Sequence, residues 1–209
     1  MSLARRLQAP LAELVKIEPK AIGVGQYQHY MNQKKLGEAL GGVVEDCVNS
    51  VGVDLNTASP ALLSYVVGIS GTVAKNILAY REENGKFDNR KQLLKVSKLG
   101  PKAFEQCAGF LRITDGKQVL DNTGVHPESY DVAVKLLEKY GYSADDVKNG
   151  GVKGISKKIK NITATAEELG VGVPTLQDII KELEKPGRDP RDEMPKPILK
   201  SDVLSIEDL

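Results

Sequence analysis

Tryptophan is absent from this 209-residue chain, and aromatic residues of all kinds make up only 5% of it. A core so poor in rings has to be built from Leu, Val, Ile and Ala, which suits helix packing better than a β-sandwich. Cysteine is scarce too. Cys47 and Cys107 stand far apart, each inside an apolar periodic stretch, a pattern that predicts two buried thiols in a reducing compartment. No apolar run approaches the roughly 18 residues of a membrane span, and the MSLARRLQ start lacks the apolar stretch of a signal peptide. The expected location is therefore cytoplasmic, with no membrane partner. An excess of one charge is also missing: 29 Lys and Arg face 28 Asp and Glu, for a net charge of +1. Any affinity for a polyanion must come from local charge and from backbone groups.

Catalytic constellations are equally thin. His29 and His126 have no Cys or carboxylate at metal-ligand spacing, and neither cysteine lies near a histidine. Gly23-Val24-Gly25 lacks the third glycine and the following helix of a dinucleotide fingerprint. The reading is that this is not an enzyme, with no catalytic residue, no metal and no cofactor.

What is present is helical periodicity. Residues 3–17 form an amphipathic pattern with Leu3, Leu7, Leu11, Leu14 and Val15 on one side, which Pro10 should kink or restart. The AIGVG run at 21–25 reads as a lone strand with no partner nearby. Over 31–51, Leu36, Leu40, Val43, Val44, Cys47, Val48 and Val51 recur at three- and four-residue steps, predicting a long helix with one buried face.

The block from Asp54 to Ile113 is the most informative. Ser59-Pro60 is a helix start, the hydroxyl capping and the proline in the first turn. A short helix then meets the turn GISG, a longer helix runs from Thr72 to about Asn84, and Gly85 stops it. Asp88 or Asn89 caps RKQLLKV, which leads through SKLGPK into AFEQCAGFL. The same unit thus occurs twice, and Gly68-Ile69-Ser70 and Lys98-Leu99-Gly100 start 30 positions apart. A glycine turn set before a helix converges unpaired N–H groups on one spot, where a phosphate oxygen fits. Nearby lysines add charge-assisted contacts.

The candidate nucleic-acid-binding residues are Gly68, Ser70, Gly71, Thr72 and Lys75 at the first hairpin, and Lys98, Leu99, Gly100 and Lys102 at the second. Ile69 and Leu99 should turn inward and hold each hairpin to the core. Between Leu55 and Arg112 nine basic residues face four acids, a local excess of +5. A site that reads backbone alone treats RNA, single-stranded DNA and duplex DNA alike.

Residues 117–190 read as a further helical unit. DVAVKLLEKY is amphipathic, GISKKIKNI is basic, and TAEELGVGVPTLQDIIKEL again gives helix, glycine hairpin, helix. Few basic residues lie near the hairpin Gly170–Val173, so its expected role is structural. From Lys185 four prolines fall in thirteen residues, a linker composition.

The tract LNTASPALLSYVVGISGTVAKNILAYREENGKF…LLKVSKLGPKAFEQCAGFLRI resembles the tandem helix–hairpin–helix domain of bacterial DNA-uptake proteins. With its flanks (GVGQYQH, EDCVNSVGVDLNTAS, TGVHPESY and PTLQDIIKELEKPGRDPRDE) it is more similar still to the Tex family of transcription accessory proteins. Two departures stand out against the Gly-apolar-Gly hairpin of the uptake type. Ser70 replaces the second glycine of the first hairpin, and Lys98 the first glycine of the second.

The resemblance implies an all-α fold with a tandem helix–hairpin–helix domain, a second helical domain of similar kind, and a short remnant of an RNase H-like domain. Its segments would be 1–30 (the remnant), 31–54 (a connecting helix), 55–115 (the tandem domain), 116–186 (the second helical domain) and 187–209 (a linker toward an S1 domain). The function implied is nucleic-acid binding without strong sequence preference in transcription, with RNA polymerase as a further partner. The competing reading is a helical protein–protein scaffold that links domains and docks on the transcription machinery.

Overall fold

In the computed structural model, the structure describes Arg6, residues 10–23 and residues 25–186. The proline-rich tract expected to be a linker lies outside the described residues from 187 onward, as do Leu3, Leu7 and Val24.

Helix α1 spans Pro10–Leu14, so Pro10 restarts the chain at a helix start, where its missing N–H costs nothing. Leu11 and Val15 pack against the first core, but Leu14 is exposed. The expected strand at 21–25 is corrected. Pro19–Ile22 is a 3-10 helix opened by its proline and closed by Gly23 in the left-handed region. Helix α2 runs Gln33–Val51, capped by the Asn32 side chain, which accepts from the N–H groups of Lys34 and Lys35. Its expected buried face is narrower than its periodicity. Only Leu36 and Val48 are buried, whereas Val43 and Cys47, one turn apart, are exposed. The apolar positions spread over a wider arc than the packed neighbours cover, so the expectation of two buried thiols holds for Cys107 and fails for Cys47.

The first unit is closed by a feature with no sequence signal, a parallel pairing of β1 (Val53–Asp54) with β2 (Leu111–Arg112). Between them lie α3 (Pro60–Leu63), α4 (Gly71–Asn84), a 3-10 helix at Arg90–Lys95 and α5 (Pro101–Cys107). Ser59 caps α3 and Gly85 ends α4 at φ 82°, as expected. Asn89 takes the capping role with Gln92 in a reciprocal capping box. Helix α5 stops at Cys107, shorter than its apolar pattern, because the chain must turn into β2. The buried core beneath is aliphatic apart from Cys107 and Phe87, whose ring stacks on half-buried Tyr80 at 4.9 Å.

The second unit carries α6 (Tyr130–Lys139), α7 (Ala144–Lys148), α8 (Ile155–Lys158), α9 (Ile162–Leu169) and α10 (Val173–Glu184) around its own core of Leu120, Leu136, Val147, Ile155, Leu176 and Leu183. Gly170 ends α9 in the left-handed region, and Val171 and Val173 pack on this core. The described structure is thus predominantly helical, with the two-residue pairing as the only sheet among the described residues.

The two units are locked together by buried Arg90. Its Nε donates to Leu111 O (2.7 Å), one terminal nitrogen donates to Val125 O (2.7 Å) and Tyr130 Oη (2.9 Å), and the other donates to Thr123 O. Buried Asp121 accepts from the Arg90 backbone N–H (3.0 Å) and from the Tyr130 hydroxyl (2.5 Å). His126 Nε2 reaches Glu105 O (2.9 Å) across the same seam, and Glu182 of α10 accepts from Gly124 N–H (2.6 Å).

Candidate nucleic-acid interface

Each hairpin is set by the backbone angles of three residues. Gly68 has φ 81°, buried Ile69 plugs the core, and Ser70 (φ −74°, ψ 160°) precedes α4. In the second unit of the pair, Lys98 has φ 66°, buried Leu99 plugs the core, and Gly100 (φ −82°, ψ 172°) precedes α5. The two hairpins share one geometry, and Ile69 and Leu99 turn inward as their apolar character requires.

The geometry settles what the two departures mean. The second position of each hairpin is extended backbone, open to any residue, so Ser70 imposes no strain. Its hydroxyl instead accepts from Val73 N–H at 3.3 Å and takes up one donor of the first turn. The N–H groups of Gly71 and Thr72 have no acceptor among the described residues, nor do those of Lys102 and Ala103 after the uncapped Gly100. The first position is the demanding one. A side chain at Gly68 would stand 2.8 Å from Gln106 Cβ and 3.1 Å from Ala103 O, so packing and conformation both call for glycine. Lys98 occupies the equivalent backbone at a conformational cost of about 1–2 kcal/mol relative to glycine.

Contacts run crosswise between the copies. The Gly68 hairpin rests on α5 through Ala103 and Gln106, and Asn76 of α4 donates to Ser97 O beside the other hairpin at 2.7 Å. Each hairpin therefore abuts the longer helix of the opposite copy, which brings the candidate residues of both together.

Charge distributes differently from the +5 of the sequence segment. All three arginines turn inward. Arg90 holds the seam, Arg81 donates to the carbonyls of Leu55 and Ala58 (3.1 and 3.2 Å), and Arg112 lies over Gly52 and donates to Gly109 O at 2.5 Å. Burial lowers the Arg112 pKa to about 10, with the nearby Arg90 charge adding to the effect, and its Nε is buried without a partner. The six lysines are all exposed. Of these, Lys75, Lys98 and Lys102 at the hairpins form no ion pair among the described residues.

The Arg90–Asp121–Tyr130 cluster escapes sequence reasoning, because its members are separated by 31 and 40 positions. An arginine inside the otherwise helix-like RKQLLKV is the only local hint. The structure also shows an unforeseen glycine-rich turn, residues 149–154, between α7 and α8.

Comparison with known proteins agrees with this architecture. A family model described as a helix-hairpin-helix motif matches residues 48–112, and one described as an HHH domain matches residues 118–191. Over its whole length the chain is 55% identical to the Bacillus subtilis protein YdcI, 54% to the transcriptional accessory protein Tex of Neisseria gonorrhoeae, and 40% to the human S1 RNA-binding domain-containing protein 1. It spans 29%, 27% and 26% of the length of these relatives, respectively.

Proposed function

The chain belongs to the Tex family, and on that premise we propose that it holds nucleic-acid backbone through its paired hairpins, reading phosphate and not sequence, as a binding module and not an enzyme. One observation carries the reading. Lys98 sits in left-handed backbone that its counterpart Gly68 adopts without cost, and its ammonium forms no ion pair among the described residues. Strain of this kind persists where a function offsets it. A cation at the mouth of a hairpin with unpaired N–H groups is suited to a phosphate. Gly100 supports the same conclusion, since its angles are ordinary and a side chain there would meet nothing within 4 Å. Bareness at that point serves the approach of an outside group.

The relatives' names fit this use, one being a transcriptional accessory protein and another an S1 RNA-binding domain protein. We place the chain's role in cytoplasmic transcription, with RNA polymerase as a further partner. Backbone recognition accommodates RNA, single strands and duplexes. The scaffold reading has its own observation in the exposed Val43 and Cys47 of α2, a face that the described residues leave uncovered.

A salt series tests the phosphate grip. With Lys75, Lys98 and Lys102 each neutralising one phosphate, log K against log salt should fall with a slope near −2.7 on a duplex, at about −0.9 per contact. Replacing the three by Gln should remove most of that slope. Binding that ignores salt, or a variant that binds as tightly as the parent, refutes the proposal.

A further inference from the structure

The stretch from Lys148 to Lys160 contains five lysines and no acid: Lys148, Lys153, Lys157, Lys158 and Lys160. All five are exposed, and none forms an ion pair among the described residues. The apolar residues between them point the other way. Val152 and Ile155 are buried and Ile159 packs against the second core, so the outer surface presents cations and bare backbone. Gly150 and Gly154 add to that bareness, since a side chain at either would meet nothing within 4 Å.

Two contacts hold this strip in shape. The Lys158 ammonium stands 4.1 Å from the centre of the Tyr142 ring, which restricts a side chain that would otherwise lose its freedom on binding. Glu184 of α10 accepts from Ser156 N–H (3.0 Å) and the Ser156 hydroxyl (2.6 Å), fastening α8 to the end of the domain. Glu184 thereby occupies the N-terminal donors of α8, so any external anion meets lysine side chains and not that helix end. The strip begins at the seam, where Lys148 and Val147 line a cleft with Ile113, Thr114, Gly116 and Gln118 of the segment that joins the two units.

We infer that this lysine strip is a second nucleic-acid contact surface, engaging the phosphate backbone of the same strand or duplex that the paired hairpins hold. The inference rests on the hairpin reading for the identity of the ligand. Its own warrant is separate: a concentrated set of cations without an ion pair among the described residues, of which Lys157 alone feels the nearby Glu184 carboxylate, and with no exposed apolar anchor. Protein interfaces draw their energy from buried aromatic and Arg anchors, and membrane surfaces from an inserted apolar face. A polyanion needs neither. Because Arg90 locks the two units, the two surfaces act as one body and their counterion releases add.

The test uses the whole chain and a short fluorescein-labelled DNA duplex, titrated at several salt concentrations. Lys153, Lys157 and Lys160 are replaced by Gln together, sparing Lys158 on its tyrosine; a parallel variant carries Arg at the same three positions. The expected result is affinity lowered by about tenfold or more and a slope shallower by up to about 2.7 for the Gln variant, with the Arg variant binding like the parent. Unchanged affinity and slope in the Gln variant overturn the inference, and so does an equal loss in both variants, since charge would then not be the cause. Unchanged duplex binding with lost binding to phosphatidylglycerol vesicles would assign the strip to a membrane surface and also overturn it. The Gln variant of Lys75, Lys98 and Lys102 separates the two claims. If it alone weakens binding, the hairpin reading stands and the strip falls; if only the strip variant does, the reverse holds.

Discussion

Replacing Arg90 by Met keeps most of its volume and removes every hydrogen bond that the guanidinium makes at the seam. In the parent, the guanidinium donates to the carbonyls of Leu111, Thr123 and Val125 and to the Tyr130 hydroxyl, and it feels the carboxylates of Asp121 and Glu182. Burial pulls the Arg90 pKa down, while Tyr130 and Asp121 push it back up, so this is a charge retained in the interior by its partners. The variant leaves three buried carbonyls without these donors, at about 1 kcal/mol each on the low side. Together these losses come to about 3 kcal/mol. Since domains of this size are stable by about 5–15 kcal/mol, the loss is a large share of the total.

Urea denaturation followed by far-UV circular dichroism reads this directly, there being no Trp to serve as a fluorescent reporter. The parent should unfold in one transition, and the Met variant in two, as the units lose their coupling. Arg112 supplies the control. It donates to a single carbonyl and leaves its Nε buried and unpaired, so Arg112→Met should cost below about 1 kcal/mol. A loss below about 1 kcal/mol for Arg90→Met, or equal losses at the two arginines, would refute the argument.

Lys98→Gly should raise stability by about 1 kcal/mol by relieving the left-handed backbone, while weakening duplex binding; a variant that is both less stable and equally tight contradicts the proposed role. Gly68→Ala should destabilise by more than 1 kcal/mol, since it combines positive φ with a 2.8 Å approach to Gln106, and thermal melting measures it. In the native chain a thiol reagent should modify exposed Cys47 and spare Cys107, whose pKa burial pushes up to about 11; two thiols reacting at one rate would contradict the packing. Burial opposes ionisation of Glu184, but the hydrogen bonds from Ser156 and Gly154 outweigh it and its pKa is lowered. A depressed carboxylate stabilises above its unfolded pKa and loses that stabilisation as pH falls through its folded pKa, so the protection factor of the Ser156 amide, its exchange rate taken relative to the free-peptide rate at the same pH, should fall in acid below the ordinary glutamate range and show no such step in Glu184→Gln.

The hairpins were legible because their signals are local. A capping Ser before Pro, a glycine at a left-handed turn and an apolar plug between them all act within a few residues. Repetition at 30 positions made the pair visible. What stayed hidden depends on partners distant in the chain. Val53 and Leu111 pair across the whole first unit, and Arg90 spends its charge on carbonyls over 30 positions away. Counting arginines as surface charge therefore overstated the basic face, since three of the nine cations of that segment serve the interior. The apolar rhythm of α2 misled for the opposite reason. Periodicity reports which residues share a face, while burial depends on whether another element covers it, and at Val43 and Cys47 none of the described residues does.

A net charge of +1 also acquires a meaning once the charges have positions. Beyond a Debye length, about 10 Å at 0.1 M salt, an approaching polyanion feels a nearly neutral body, so long-range steering contributes little to association. At contact the surface is strongly divided. Exposed Glu38, Glu45 and Asp46 lie on α2 beyond the Lys34 and Lys35 of its first turn, while Lys75, Lys98 and Lys102 crowd the hairpins and five more lysines follow from Lys148. Phosphate is repelled by the first face and held by the others, so charge here sets the orientation of the ligand more than the rate of its arrival. Because the Arg90 clasp fixes the two lysine surfaces relative to each other, loosening it should weaken binding even though Arg90 touches no ligand.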